Sequence, residues 1–276
     1  GVVISTAKFL SGTSQNSIDL LLGRVMNMHS VGMFSRGNGL IVFLQSLLTK
    51  AVAPVTFPHL AEIKRSGGSV KDAYLQSLVL VGALTIPVFA VVNLAAGDMI
   101  TTLFGNQWLD AVELASIIAF WAIIQTIQCF ATSIFLTEHK ENYFLIKEIV
   151  SIIAKIGLIL MMVPYGLVYV AWGLVLSALV EFLVISYLID KTLGLSLFEV
   201  LRAFISNFVI AAICWGVLKL MYLSGLFDEM NSLLVLVIIG AAMVPVWLLS
   251  VKLTGNPLWP VIMSIVERFL PKKAAA

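Results

Sequence analysis

Residues 73–97 read AYLQSLVLVGALTIPVFAVVNLAAG, and between Asp72 and Asp98 there is no charged side chain at all. A helix rising about 1.5 Å per residue needs roughly 20 to 25 residues to cross a hydrocarbon core about 30 Å thick. The same charge-free interval recurs between Glu113 and Glu138, Lys155 and Glu181, and Glu229 and Lys252. Long apolar stretches therefore alternate with short hinges that hold nearly all the charge. That is the pattern of an all-α, polytopic transmembrane bundle, because a helix satisfies its own backbone hydrogen bonds in lipid.

Composition agrees. Of 276 residues 60% are hydrophobic and 12% charged, and the mean hydropathy is +1.04, outside the range of soluble domains. A formal net charge of +2, with Lys and Arg gathered in hinges, gives no basic face for nucleic acid. Cys129 and Cys214 both fall in apolar stretches and read as small packing residues. His29, His59 and His139 sit in separate hinges without metal-ligand spacing, and Gly67-Gly68 lacks the strand and the Lys-Ser or Lys-Thr ending of a phosphate loop. No cofactor and no enzymatic chemistry are expected.

Working outward, about eight spanning helices are predicted near 3–28, 31–62, 71–97, 108–136, 142–163, 167–190, 200–223 and 231–253. Pro54 and Pro58 should kink or end the second near its inner end, and Pro87 and Pro245 should act likewise inside the third and eighth. Pro164-Tyr165-Gly166 reads as a tight turn. Two segments read as interfacial. One is 195–205, where Ser196 and Glu199 have capping-box separation; the other begins at Asn256-Pro257 and carries Trp259, Ile262, Val266 and Phe269 on one face. Lys64, Arg65, Lys71, Lys140, Lys191, Arg202, Lys252, Arg268, Lys272 and Lys273 occupy hinges of one side, expected to be cytoplasmic. The hinges with Asp98 and Asp110 and with Asp228 and Glu229 belong to the other side, so an even helix count leaves both ends of the chain cytoplasmic.

Polar groups in hydrocarbon mostly face a bundle interior or a wet cavity. Lys8, Gly12, Gln15 and Asp19 recur at alternate spacings of about four and three on one face of the first helix, with Ser5, Ser11 and Asn16 beside them. The stripe suggests a helix lining an aqueous path; the other reading is close helix packing with Lys8 and Asp19 snorkelling to opposite interfaces. Arg24, Arg36 and Lys50 add positive charge able to hold an anionic group, with anchoring at the outer rim as the other reading for the two arginines. Glu148, Lys155 and Glu181 read best as structural pairing between helices, with an ion site at Glu181 as the alternative.

The runs Asp19-Leu20-Leu21-Leu22-Gly23-Arg24 and Val31-Gly32-Met33-Phe34-Ser35-Arg36 resemble the start of the second half of bacterial polysaccharide exporters of the lipopolysaccharide and colanic-acid flippase kind. Phe57-Pro58-His59-Leu60 and Leu103-Phe104-Gly105-Asn106-Gln107-Trp108 look like the same family's inner-end motif and outer loop. Met26-Asn27-Met28-His29 departs from its usual small apolar residues and Gly. The resemblance implies a member of the multidrug, oligosaccharidyl-lipid and polysaccharide exporter superfamily, built of two six-helix lobes around a central cavity. Residues 1–191 would be the second lobe; 192–273 would be the interfacial helix, two additional membrane helices and an amphipathic tail. The implied function is moving undecaprenyl-diphosphate-linked oligosaccharide across the bacterial inner membrane by alternating access, with Arg24, Arg36 and Lys50 as candidate diphosphate contacts. Partners would be the bilayer, the lipid-linked oligosaccharide and an N-terminal lobe of the same protein. Alternatives are a cation-coupled multidrug exporter and a non-transporting membrane scaffold.

Overall fold

The computed structural model describes the backbone of residues 2–269, and the side chains within that range other than 2, 11, 13–17, 19, 49–64, 265 and 268–269. The described chain is helical throughout, with no strand. In order it forms α1 (Val2–Val25), α2 (Met28–Arg65), α3 (Val70–Phe104), α4 (Ala111–Ile127), α5 (Ala131–Thr137), α6 (Glu141–Met162), α7 (Leu167–Leu193), α8 (Leu197–Ala203), α9 (Ile205–Leu223), α10 (Ser232–Leu253) and α11 (Leu258–Phe269). Five stretches among the described residues are long and apolar enough to cross a membrane: α3, α4 with α5, α7, α9 and α10. The chain is a multi-pass membrane protein. α1, α2 and α6 are also of spanning length but more polar, since α6 alone carries Lys147, Glu148 and Lys155.

Three apolar clusters hold the bundle together. The first joins Leu22, Met33, Ile100, Ala111, Ile159 and Val170, beside hinges 26–27, 105–110 and 163–166. The second joins Ala7, Tyr74, Phe135, Phe144, Ile189 and Val200, beside hinges 66–69, 138–140 and 194–196. The hinges thus fall into two sets at opposite ends of the bundle, as the alternating loop charges predict. A third cluster packs α9, α10 and α11 together through Ile210, Cys214, Leu218, Ile239, Met243 and Trp259 and reaches α3 at Ala95.

Local chemistry sets the helix ends. Ser196 and Glu199 form the predicted capping box, with the Ser196 amide donating to Glu199 Oε2 at 2.8 Å. Asn256 caps α11, its Oδ1 accepting from the Leu258 amide at 3.0 Å. The predicted tight turn is a single 3-10 turn over Val163–Tyr165, closed by Gly166 at φ 105°. Lys71, at the start of α3, donates to Gly194 O at 2.7 Å and to Glu199 Oε1 at 3.0 Å, tying two hinges at one end.

Several expectations need correcting. The predicted 108–136 helix is two helices, because residues 128–130 tighten into i→i+3 turns, Gln128 N–H to Gln125 O and Cys129 N–H to Thr126 O. α2 runs on to Arg65 and does not end at Pro54 or Pro58, whose side chains lie outside the described residues. α3 likewise continues past Pro87, and here the structure shows how. Proline has no N–H for the carbonyl four residues back, so Ala83 O would be left without a donor in a buried stretch. The Trp247 indole N–H of α10 donates to it at 2.8 Å.

Further bonds dock α9 and α10 on α3 along its length. Asn207 Nδ2 donates to Val79 O at 3.0 Å, Trp215 Nε1 to Asn93 Oδ1 at 3.1 Å, and Thr101 Oγ1 to Ser232 Oγ at 3.0 Å. The Tyr222 hydroxyl donates to Asp98. Close approach is part of the fit. A Cβ on Gly82 would fall 2.6 Å from both Asn207 Nδ2 and a Phe204 ring carbon.

Two predictions follow from these junctions. In the full-length protein, Trp247→Phe should lower stability by about 1 kcal/mol, the cost of an orphaned carbonyl. In a Pro87→Ala background the restored N–H serves Ala83 O, so the same substitution should cost clearly less; a double-mutant cycle in SDS or thermal unfolding measures the difference. Glu199 is held down to about 2 by the Ser196 amide first, then by Lys71 and the Ser196 hydroxyl. Its folded value is depressed, so its contribution is fully present above the usual carboxylate value and disappears as pH falls toward about 2. Protection of the amides of residues 194–199 against hydrogen exchange, taken relative to the intrinsic rate at each pH, should be steady above about pH 5 and fall in acid, and Lys71→Met should weaken that dependence.

Candidate functional site

Two arrangements stand out. The first is the exposed side of α1 and α2, where polar groups are interspersed with exposed Phe9, Leu20, Phe43 and Leu47. On α1, Ser5, Thr6, Lys8, Gly12 and Arg24 are exposed, while Ala7 and Leu22 are fully buried and Ile18 nearly so. On α2, Arg36, Gly39, Phe43 and Leu47 share one exposed face, opposite buried Met33, Phe34, Leu40 and Ile41. Lys8 belongs to the turn that packs at the 66–69 end, and Arg24 and Arg36 lie toward the 105–110 end. Lys8 and Arg24 are about 24 Å apart along the axis of α1 and about 160° apart around it, so these two predicted cations neither cluster nor share one strip of the helix. The side chains of Gln15, Asn16, Asp19 and Lys50 lie outside the described residues.

Arg36 is seated on aromatic rings. Its guanidinium carbon is 4.9 Å from the Trp108 ring centre and 5.3 Å from that of Phe104, within cation–π range. The seat is built by close backbone contact. A Cβ on Gly37 would meet Ala111 O, Ala115 N and Leu114 Cβ at 3.0–3.1 Å, so α2 lies directly on the start of α4. One turn earlier, Gly32 leaves room for the edge of Trp108, 3.4 Å from where a Cβ would be. The 104–108 loop is itself pinned. Gly105 turns at φ 93°, and Gln107 Nε2 donates back to Phe104 O at 2.8 Å.

The second assembly is buried between the two apolar cores of α1–α7. Glu181 of α7 accepts from Gln125 Nε2 of α4 at 3.0 Å and from Ser151 Oγ of α6 at 3.2 Å, both on Oε2. Its Oε1 lies 3.8 Å from Lys147 Nζ, which bonds Glu148 Oε1 at 2.7 Å. Glu181 and Glu148 are 5% and 4% exposed, and the charge of Lys155 acts on both. Two carboxylates thus share this layer with Lys147, which lies between them. Gln128 Nε2 extends the network to Gln125 Oε1 at 2.9 Å, while the buried Gln128 Oε1 has no partner among the described residues.

The sequence marks Glu148, Lys155 and Glu181 as pairing residues, and the structure brings them together. It gives no sign of Lys147, Gln125, Gln128 or Ser151. Adjacent helical residues do not face one another, so a spacing search passes over Lys147–Glu148; a long lysine chain bends to make the bond. The Arg36 seat is missed for another reason: its rings come from a loop about seventy positions away.

A family described as "Polysaccharide biosynthesis protein" matches residues 1–113, which contain the outward face, the Arg36 seat and all the motifs quoted above. The teichuronic acid biosynthesis protein TuaB of Bacillus subtilis (strain 168) is 21% identical over 194 residues, covering 70% of this chain. The chain spans about two fifths of that relative, the aligned part being 40% of its length. No solved structure matches. Both likenesses are to polysaccharide biosynthesis proteins, and the family match takes in all the motifs of residues 19–108.

Proposed function

We propose that this chain is the later part of a bacterial inner-membrane flippase that carries undecaprenyl-diphosphate-linked oligosaccharide from the inner to the outer leaflet by alternating access. Residues 1–191 act as one lobe and 192–273 as its appended helices. The observation that carries the reading is the outward face of α1 and α2. Lys8, Gly12 and Arg36 are exposed on the side of the bundle turned away from its apolar cores, and a second lobe would close them into a cavity. Cations along that wall suit a diphosphate, while the lipid tail stays in the bilayer. Lys8, Gln15, Asn16 and Asp19 line the path, and Arg24, Arg36 and Lys50 meet the anion. The 66–69 and 138–140 hinges face the cytoplasm, and the 105–110 and 224–231 hinges face outward.

One observation favours the cation-coupled drug exporter as a second reading: Glu148 and Glu181 form an acidic pair deep in the bundle. Lys147 already bridges them, however. That neutralisation weighs toward a structural tie and leaves the flippase as the better account.

The residues present here should not export on their own, since a rocking mechanism needs an opposing bundle. Expressed in a strain that lacks the corresponding exporter, residues 1–276 alone should fail to restore surface glycan, and co-expression with the preceding lobe should restore it. Restoration by residues 1–276 alone would sink the two-lobe reading. For topology, an impermeant thiol reagent applied to intact cells should label Asp110→Cys and spare Arg65→Cys; the opposite pattern would invert the assignment.

A further inference from the structure

We propose that α8 and the junction of α10 with α11 form a docking surface for anionic phospholipid of the bilayer, in which Arg202 and Lys252 hold headgroup phosphates while the outward apolar side chains of α8 enter the acyl boundary. The surface lies on different helices from the α1 and α2 wall and does not depend on the flippase reading. Depth comes first. α8 joins the end of one spanning helix, α7, to the start of another, α9. It therefore stands at the level where hydrocarbon gives way to headgroups. Its inward side is fixed by Val200 and the capping Phe204, both buried. Phe198, Leu201 and Ile205 recur at helical spacing on the opposite side, with Phe198 73% and Ile205 57% exposed. Such a face is a liability in water and belongs in lipid. It runs on without a break into exposed Phe208 and Val209 on the lipid-facing side of α9, so the bilayer itself is the occupant.

Charge decides which lipid. Exposed Arg202 sits on that same apolar face, four positions after Phe198 and three before Ile205. Among the described residues no carboxylate pairs with it, because Glu199, three positions earlier, is bound by Lys71 at 3.0 Å and by the Ser196 amide at 2.8 Å. A cation on an apolar face lays its stem along the surface and carries its head to the phosphates. Lys252 stands across the joint. Asn256 Nδ2 donates to Ser206 Oγ at 2.9 Å and to Asn207 Oδ1 at 2.7 Å, tying the start of α11 to the start of α9. Arg202 precedes Ser206 by four positions and Lys252 precedes Asn256 by four, each about 6 Å along a helix. The two cations thus flank one joint at one membrane level. The Lys252 ammonium lies 5.6 Å from the ring centre of Trp259, a residue type suited to headgroup depth. Basic side chains gathered between helices at one membrane surface hold anionic headgroups.

The test takes the full-length protein in detergent, titrates it with dioleoylphosphatidylglycerol or dioleoylphosphatidylcholine, and counts the lipid retained by native mass spectrometry. Wild type should hold the anionic lipid more tightly by about thirty-fold. Arg202→Gln and Lys252→Gln should each lose about five-fold of that preference and the double variant nearly all of it, while Arg202→Lys, which keeps the charge, should stay within about two-fold of wild type. A second measurement leaves both cations in place. A nitroxide on Phe198→Cys, in phosphatidylglycerol nanodiscs, should be relaxed by oxygen and not by a water-soluble nickel chelate. Equal retention of the two lipids by wild type, an undiminished preference in the double variant, or a label reached by the nickel chelate overturns the proposal. A label shielded from both relaxing agents shows protein covering α8 and overturns it as well.

Discussion

The bundle is organised around one carboxylate that is almost wholly buried. A bare charge at this depth costs several kcal/mol even after relaxation, and Glu181 escapes that cost only because α4 brings an amide, α6 a hydroxyl and Lys147 an ammonium. Apolar packing above and below it is forgiving, since leucines and valines tolerate small rotations of their helix. Hydrogen bonds of about 3 Å are not. The polar layer between the two cores thus fixes how α4, α6 and α7 are rotated about their axes. Everything carried by those helices inherits that register, including the start of α4 on which α2 rests at Gly37.

A similar logic governs α3. Its polar and backbone groups at Val79, Ala83, Asn93, Asp98 and Thr101 meet partners on α9 and α10 at successive depths. In lipid there is no hydrophobic force to press helices together, so directional bonds and close packing decide which faces meet. Trp215 and Trp247 supply both, with a large ring to pack and one N–H to donate.

Most of the architecture was legible. Charge-free intervals located the spanning helices, and loop charges sorted the hinges into two ends, because both signals reflect the bilayer and not the details of packing. The Ser196–Glu199 cap and the Asn256 cap were readable since each is a local bond within three residues. What escaped depends on contacts distant in sequence. The break at 128–130 has no proline or glycine to announce it, and it forms where Gln128 turns toward Gln125. The roles of Phe104 and Trp108 under Arg36 became visible only once α2 and the 104–108 loop were in contact. The cations of α1 and α2 were legible as residues, and the spacing of Lys8 and Arg24 along one helix follows from their numbers; the rings under Arg36 did not.

The vacancy that Pro87 opens at Ala83 O has a consequence for how the protein is made. Its donor, Trp247, lies 164 positions later, and at about 5–20 residues per second the ribosome needs roughly 8 to 33 s to reach it. Asn93 waits for Trp215 across 122 positions, a comparable interval. During that time α3 is in the membrane with a backbone carbonyl and a side-chain amide not yet fully served. Arrival of the last two spanning helices therefore closes a polar debt as well as covering apolar surface. A nascent chain interrupted before residue 247 would leave Ala83 O without that donor.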